Sequence, residues 1–153
     1  MYSFRNDYSE GAHPKVLQAL ADTNLRQTVG YGMDPCCQAA ADTIRRLCAA
    51  PDAAVHFLVG GTQVNLVTID AFLQSYEAVV AAQTGHVSTH ETGAIEATGH
   101  KVCTVESPDG KLTPALVESV LAGHNGTEHM VLPRMVYISD TTEIGTVYTK
   151  ARQ

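Results

Sequence analysis

Apolar positions along the chain change their spacing several times, and each change marks an element. After an irregular opening, HPKVLQALADTN sets Val16, Leu17 and Leu20 at helical spacing behind Pro14, a residue suited to a first helical turn. TVGYGMDP holds two glycines around Tyr31 and ends in Asp34-Pro35, a capping residue before a proline. A helix is therefore predicted from Pro35 to about Ala49, with Ala39, Ile44, Leu47 and Cys48 on one face. The run AAVHFLV over 53–59 has no alternation beyond His56, the pattern of a strand covered on both faces, and Gly60-Gly61 breaks it. A helix from about Thr62 to Leu73, a strand EAVVAAQ and a glycine-interrupted helix HETGAIEAT follow. The strand KVCTVE and the turn SPDGK lead to a helix PALVESVLAG capped by Thr113, and a loop GHNGTEH precedes a last strand RMVYISD.

Strands alternating with helices imply parallel βαβ crossovers, so the expected class is α/β, a mainly parallel sheet flanked by helices in three layers. Four strands make a thin sheet, and continuous apolar strands need helices on both faces. Little chain follows Ile138-Ser139-Asp140 to complete a layer. The expectation is part of a larger domain, or a subunit that completes its core by oligomerising.

Composition narrows the class. The chain has 153 residues, 44% apolar and 17% charged, which excludes disorder, collagen and coiled coil and allows one domain. No run approaches the roughly 18 apolar residues of a membrane span, and MYSFRNDYSEG lacks the layout of a signal peptide, so no membrane partner and a cytoplasmic location are expected. Ten Lys and Arg against 16 Asp and Glu give a formal charge of −6, with no basic run longer than Arg45-Arg46, so nucleic acid is not an expected partner. Cys36, Cys37, Cys48 and Cys103 form no CxxC and read as reduced core thiols. A helix N-terminus beside Cys36-Cys37 would lower a thiol pKa and make the pair redox-active in principle.

Three predicted sheet ends carry polar residues that a ligand needs. Gly60-Gly61-Thr62 lies between a strand and a helix, where the helix N-terminus presents free N–H groups to an anion. It is not a P-loop, because GxxxxGK[ST] is absent. Thr84-Gly85-His86 and Ser139-Asp140-Thr141-Thr142 follow later strands, at the edge where open α/β sheets hold ligands. Asp140 and Glu143 are acid/base candidates there. His86, His90 and Glu91 have a spacing that superficially suggests zinc, although the glutamate of HExxH would follow the first histidine, so no metal is expected. No GxSxG elbow supports serine hydrolysis, and His13, His56, His100, His124 and His129 have no spacing that asks for a function.

The order FRNDY, YGMDP, FLVGGTQVN, TGHVSTHETGAIE, DGKLTP and VYISDTTEIGTVYT resembles the N-terminal half of the threonine aldolase and β-eliminating lyase family of pyridoxal-phosphate enzymes, across nearly all 153 residues. The resemblance implies part of a fold-type-I aminotransferase-like large domain and an amino-acid lyase that splits a β-hydroxy amino acid into glycine and an aldehyde. It assigns Gly60, Gly61 and Thr62 to the cofactor phosphate, with Gly60 standing where the family often has serine. His86 becomes the catalytic residue that stacks on the pyridine ring. Arg5, Asn6 and Tyr31 become substrate-binding residues, Asn6 at the carboxylate, and Asp34 shares the Tyr31 loop, which often lies across a subunit boundary. Thr142 stands where the family commonly has a histidine.

The family's cofactor-bonding lysine and its aspartate at the pyridinium nitrogen lie further along than Gln153, and Lys15, Lys101, Lys111 and Lys150 match neither position. The resemblance therefore implies a chain that is incompetent alone, with a homodimer or homotetramer as the family's assembly. Two other readings stand beside it: a non-catalytic fragment or pseudoenzyme acting by binding, and a small zinc enzyme using His86, His90 and Glu91.

Overall fold

Five consecutive residues without a polar side chain, Ala78 to Ala82, are all buried in strand β1 (Glu77–Ala82), and the rest of the sheet is arranged around them. The computed structural model describes residues 2–6, 8–124 and 126–150, and the chain divides into two compact units, Met1–Phe57 and Leu58–Gln153.

The first unit holds helices α1 (Pro14–Thr23) and α2 (Pro35–Leu47). Both begin as expected, with proline in the first turn behind a capping side chain. His13 Nδ1 accepts from Lys15 N at 3.2 Å, and Asp34 Oδ1 accepts from Cys36 N and Cys37 N at 2.8 and 3.0 Å. The expected apolar faces are not core here, because Val16, Leu17, Leu20 and Leu47 are all more than half exposed.

In the second unit the order is α3 (Gly61–Phe72), β1, α4 (His86–Thr89), α5 (Ala94–Ala97), β2 (Lys101–Val105), α6 (Pro114–Gly123) and β3 (Leu132–Val136). The strands form a parallel sheet in the order β2-β1-β3. β1 pairs with β2 from Ala78 opposite Lys101 to Ala82 opposite Val105. Its pairing with β3 shifts by one residue, so that Pro133 faces Ala78 and Met135 faces Val79. Pro133 has no N–H to contribute, and an edge strand with an irregular register is where a sheet tolerates that.

The strand alternation divides β1 between two clusters. Val79 and Ala81 pack with Ile69 and Leu73, Val87 and Ile95, the side covered by α3, α4 and α5. Ala78 and Val80 pack with Cys103, Val117 and Val120, the side covered by α6. The three expected layers are present, but the expected strand over 53–59 does not form. Both edges of β1 are taken by β2 and β3, and Phe57, Leu58 and Val59 remain exposed. An apolar run specifies burial without specifying a ladder partner.

Of the helix expected over HETGAIEAT only the short α5 forms, behind Thr92 and Gly93 in the left-handed region, and the unexpected turn of helix α4 precedes it. Ile95 is fully buried between elements, so Ile95→Ala is expected to destabilise the chain by about 2–5 kcal/mol, against about 1 kcal/mol for removing the Thr113 cap of α6 with Thr113→Ala, in denaturant titrations of the two variants.

Candidate cofactor site

Two of the three expected sheet ends, those after β1 and β3, meet at the C-terminal edge of β1, whereas Gly60-Gly61-Thr62 starts α3 with no strand before it. Gly85 N bonds Ala82 O at 2.8 Å, turning the chain sharply out of the strand into His86. A Cβ at Gly85 would meet Ala82 O at 3.0 Å, so this turn accepts little but glycine. Thr84 and Gly85 line one small cavity with Gly110, Leu112, Ser139, Thr142 and Glu143, which brings the loop after β3 to the same edge.

That loop is held by its own hydroxyls. Thr142 is buried; its Oγ1 lies 2.7 Å from Thr146 Oγ1 and accepts from Thr146 N at 3.0 Å. Thr146 Oγ1 in turn donates to Asp109 O at 2.5 Å. Thr142 is thus a structural residue where the family commonly has histidine. Asp140 Oδ1 accepts from Tyr148 N at 3.3 Å, which gives this acid/base candidate a structural bond, and Glu143 is exposed.

Gly60 begins α3 as an N-cap without a side-chain hydrogen bond, so the first N–H groups of the helix are left for another partner. A Cβ at Gly60 or Gly61 would meet nothing within 4 Å, so neither glycine is required by packing. Thr62 adds a hydroxyl in the first turn. Helix dipole and free donors are the features that favour an anion at such a helix start.

One carboxylate connects this helix start to His86. Glu91 is buried, and its Oε1 accepts from Asn65 Nδ2 at 2.7 Å and lies 2.7 Å from His86 Nδ1. Burial pushes the Glu91 carboxyl up, but the Thr62 hydroxyl, the Asn65 amide and His86 outweigh it and hold the group below its ordinary 4.5. Thr62 acts on the charge without satisfying the other oxygen, since Oε2 is buried and has no partner with hydrogen-bond geometry. The His86 ring stands 5.5 Å from that of His90, tilted by 59°.

Of the expected residues, Gly60, Gly61, Thr62 and His86 belong to this one constellation. Arg5, Asn6 and Tyr31 belong to the first unit. Arg5 N bonds Ser3 Oγ at 3.4 Å, Asn6 Oδ1 accepts from Tyr8 N and Ser9 Oγ at 3.1 and 2.6 Å, and Tyr31 is fully exposed with φ of 64°. Among the described residues no three His, Cys, Asp or Glu side chains are grouped to hold a metal ion: Glu91 is turned to His86 and Asn65 instead.

Asn65 was not expected, although its place one turn after Thr62 on α3 is the signal that could have found it. Of the four cysteines expected in the core only Cys103 is buried; Cys36 and Cys48 are exposed, and Cys37, partly buried, has its thiol pushed up by its bond to Asp34, the carboxylate that caps the same helix. His100, buried, is bonded to Glu77 O at 3.2 Å and lies 3.6 Å from Asp70, a structural histidine.

An open parallel sheet with a free helix N-terminus and a carboxylate-held imidazole at its C-terminal edge is an arrangement in which α/β proteins hold phosphate-bearing ligands. The sequence profile of the beta-eliminating lyase family matches residues 4–152, and the chain belongs to that family. It is 36% identical to a low specificity L-threonine aldolase of a Pseudomonas species and 35% identical to that of Pseudomonas aeruginosa, each over 147 residues. These matches cover 95% of this chain and 42% of either relative. A solved structure of Leishmania major threonine aldolase superposes with a TM-score of 0.95 at 57% identity, over 99% of this chain and 44% of that one. The chain spans less than half the length of the relatives it matches, and its sheet is that of the fold-type-I large domain. Among the described residues no helix is long and apolar enough to cross a membrane.

Because Glu91 is held below its ordinary pKa, its charge contributes stability above about pH 4.5 that is lost as the pH falls through the lowered value. The stability difference between the natural chain and Glu91→Gln should therefore shrink on acidification below about pH 4.5. Denaturant midpoints at each pH read this directly, and a difference that grows below about pH 4.5 would contradict it.

Proposed function

We propose that these residues are the cofactor-binding portion of a pyridoxal-phosphate-dependent lyase of the threonine aldolase type, which splits a β-hydroxy amino acid into glycine and an aldehyde. The observation that carries the reading is the pairing of an uncapped α3 N-terminus with His86 at one sheet edge, in a chain 57% identical to a threonine aldolase over 99% of its length. The donor set suits the group: N–H groups and the Thr62 hydroxyl for a phosphate, and the planar ring of His86 for the pyridine. No step of this reading needs a metal.

When bound, pyridoxal phosphate supplies an electron-accepting ring that weakens bonds to the substrate Cα. The chain's own residues bind and orient. Gly60, Gly61 and Thr62 hold the phosphate, and His86 lies against the pyridine ring. Asn6 binds the substrate carboxylate through its amide nitrogen, which has no hydrogen-bond partner among the described residues, with Arg5 and Tyr31 as further substrate contacts.

Lys101 is paired with Ala78, at the end of β1 opposite His86, and does not serve as the lysine that anchors the cofactor. That anchoring lysine comes from outside these 153 residues, and the chain by itself does not turn over substrate. The assembly is a homodimer or homotetramer, acting in the cytoplasm.

Pyridoxal phosphate titrated into the purified chain, followed by its absorbance, tests the reading. Thr62→Ala is expected to weaken binding about tenfold, the loss of one hydrogen bond to a charged group, and His86→Ala to weaken it without releasing metal. Equal affinity in all three proteins would remove the reading.

A further inference from the structure

The imidazole and the α3 N-terminus sit on different elements, and a single buried carboxylate joins them. The Glu91 side chain is wholly shielded from solvent, while His86 keeps 37% of its side chain exposed. One oxygen, Oε1, takes both the Asn65 amide from α3 and the His86 ring from the start of α4. An ionised carboxylate can only accept, so the proton in the 2.7 Å contact is on His86 Nδ1. The His90 ring lies against the same imidazole and narrows its freedom further.

We propose that Glu91 is a positioning residue of this site: with Asn65 it fixes His86 in the Nδ1–H tautomer and holds the ring in a set relation to the first turn of α3. The role rests on the cofactor reading above. It ties the two ends of one ligand together, since α3 carries the phosphate donors and His86 the stacking surface. A purely structural carboxylate explains less. Burying Oε2 without a partner carries a desolvation cost that an apolar side chain of similar size would avoid, so stability alone gives no reason for Glu91 to be there. A fixed tautomer and orientation do give one.

The tautomer is readable without any cofactor, by nitrogen NMR of the histidines in the 153-residue chain at pH 8. His86 is expected as Nδ1–H in the natural chain and in Glu91→Gln, whose amide oxygen still accepts, and to move toward Nε2–H in Glu91→Ala. Titration with pyridoxal phosphate, pyridoxal and inorganic phosphate then separates ring from phosphate. Glu91→Ala should weaken the two pyridoxal compounds about tenfold and leave inorganic phosphate unchanged, with Glu91→Gln close to the natural chain.

If Glu91→Ala does not fold by circular dichroism, Asn65→Ala carries the test: it leaves the Glu91–His86 pair but removes its amide tie to α3, so the tautomer should persist while pyridoxal phosphate binds more weakly. A tautomer and an affinity indifferent to Glu91→Ala, or an affinity indifferent to Asn65→Ala, would overturn the positioning role alone. A natural chain that holds the Nδ1–H tautomer and binds none of the three compounds would overturn the cofactor reading itself.

Discussion

A strand whose side chains are apolar on both faces cannot stop at one layer, and that constraint on β1 organises the second unit. Ala78 to Ala82 need cover above and below, and their backbone groups need strands on both sides. Parallel partners satisfy the backbone, and parallel pairing obliges each connection to cross the sheet, which puts α4 and α5 on one face, where α3 also packs, and α6 on the other. The same parallelism sends every strand out at one edge. Thr84 to His86, the Gly110 turn and Ser139 to Thr142 meet there because the core left them nowhere else to emerge.

The electrostatics of that edge depend on bringing opposite requirements together. Glu91 is buried, which disfavours its charge, yet three polar neighbours hold it ionised. It thereby fastens α4 to α3 across 26 residues of sequence through Asn65, and turns His86 from a side chain at a strand end into an oriented ring. Thr142 shows the complementary outcome: a hydroxyl near the same edge is absorbed by Thr146 and spends its hydrogen bonds on the loop. Chemistry at a sheet edge thus belongs to the groups the loops do not consume.

The first unit follows a different balance. α1 and α2 form for local reasons, from caps and prolines, and leave Val16, Leu17, Leu20 and Leu47 exposed. Asp34 caps α2 through the Cys37 N–H and raises the Cys37 thiol through a second, side-chain interaction, so the residue that starts the helix also opposes the thiol activation that a helix N-terminus would otherwise favour.

Local signals decided most of the elements. Pro14, Asp34-Pro35 and Thr113-Pro114 fixed helix starts because a cap and a proline act within one turn, and α6 runs over the predicted PALVESVLAG. The buried β1 was legible in EAVVAAQ because Ala78 to Ala82 are all apolar. The apolar run at 53–59 misled, since its pattern says nothing about which strand edge is vacant. Glu91 was visible as a residue but not as a partner of Asn65, and no spacing rule could have paired them. Their contact exists only once α3 and α4 are packed on the same face of β1, where a shared core brings together side chains that the sequence keeps apart.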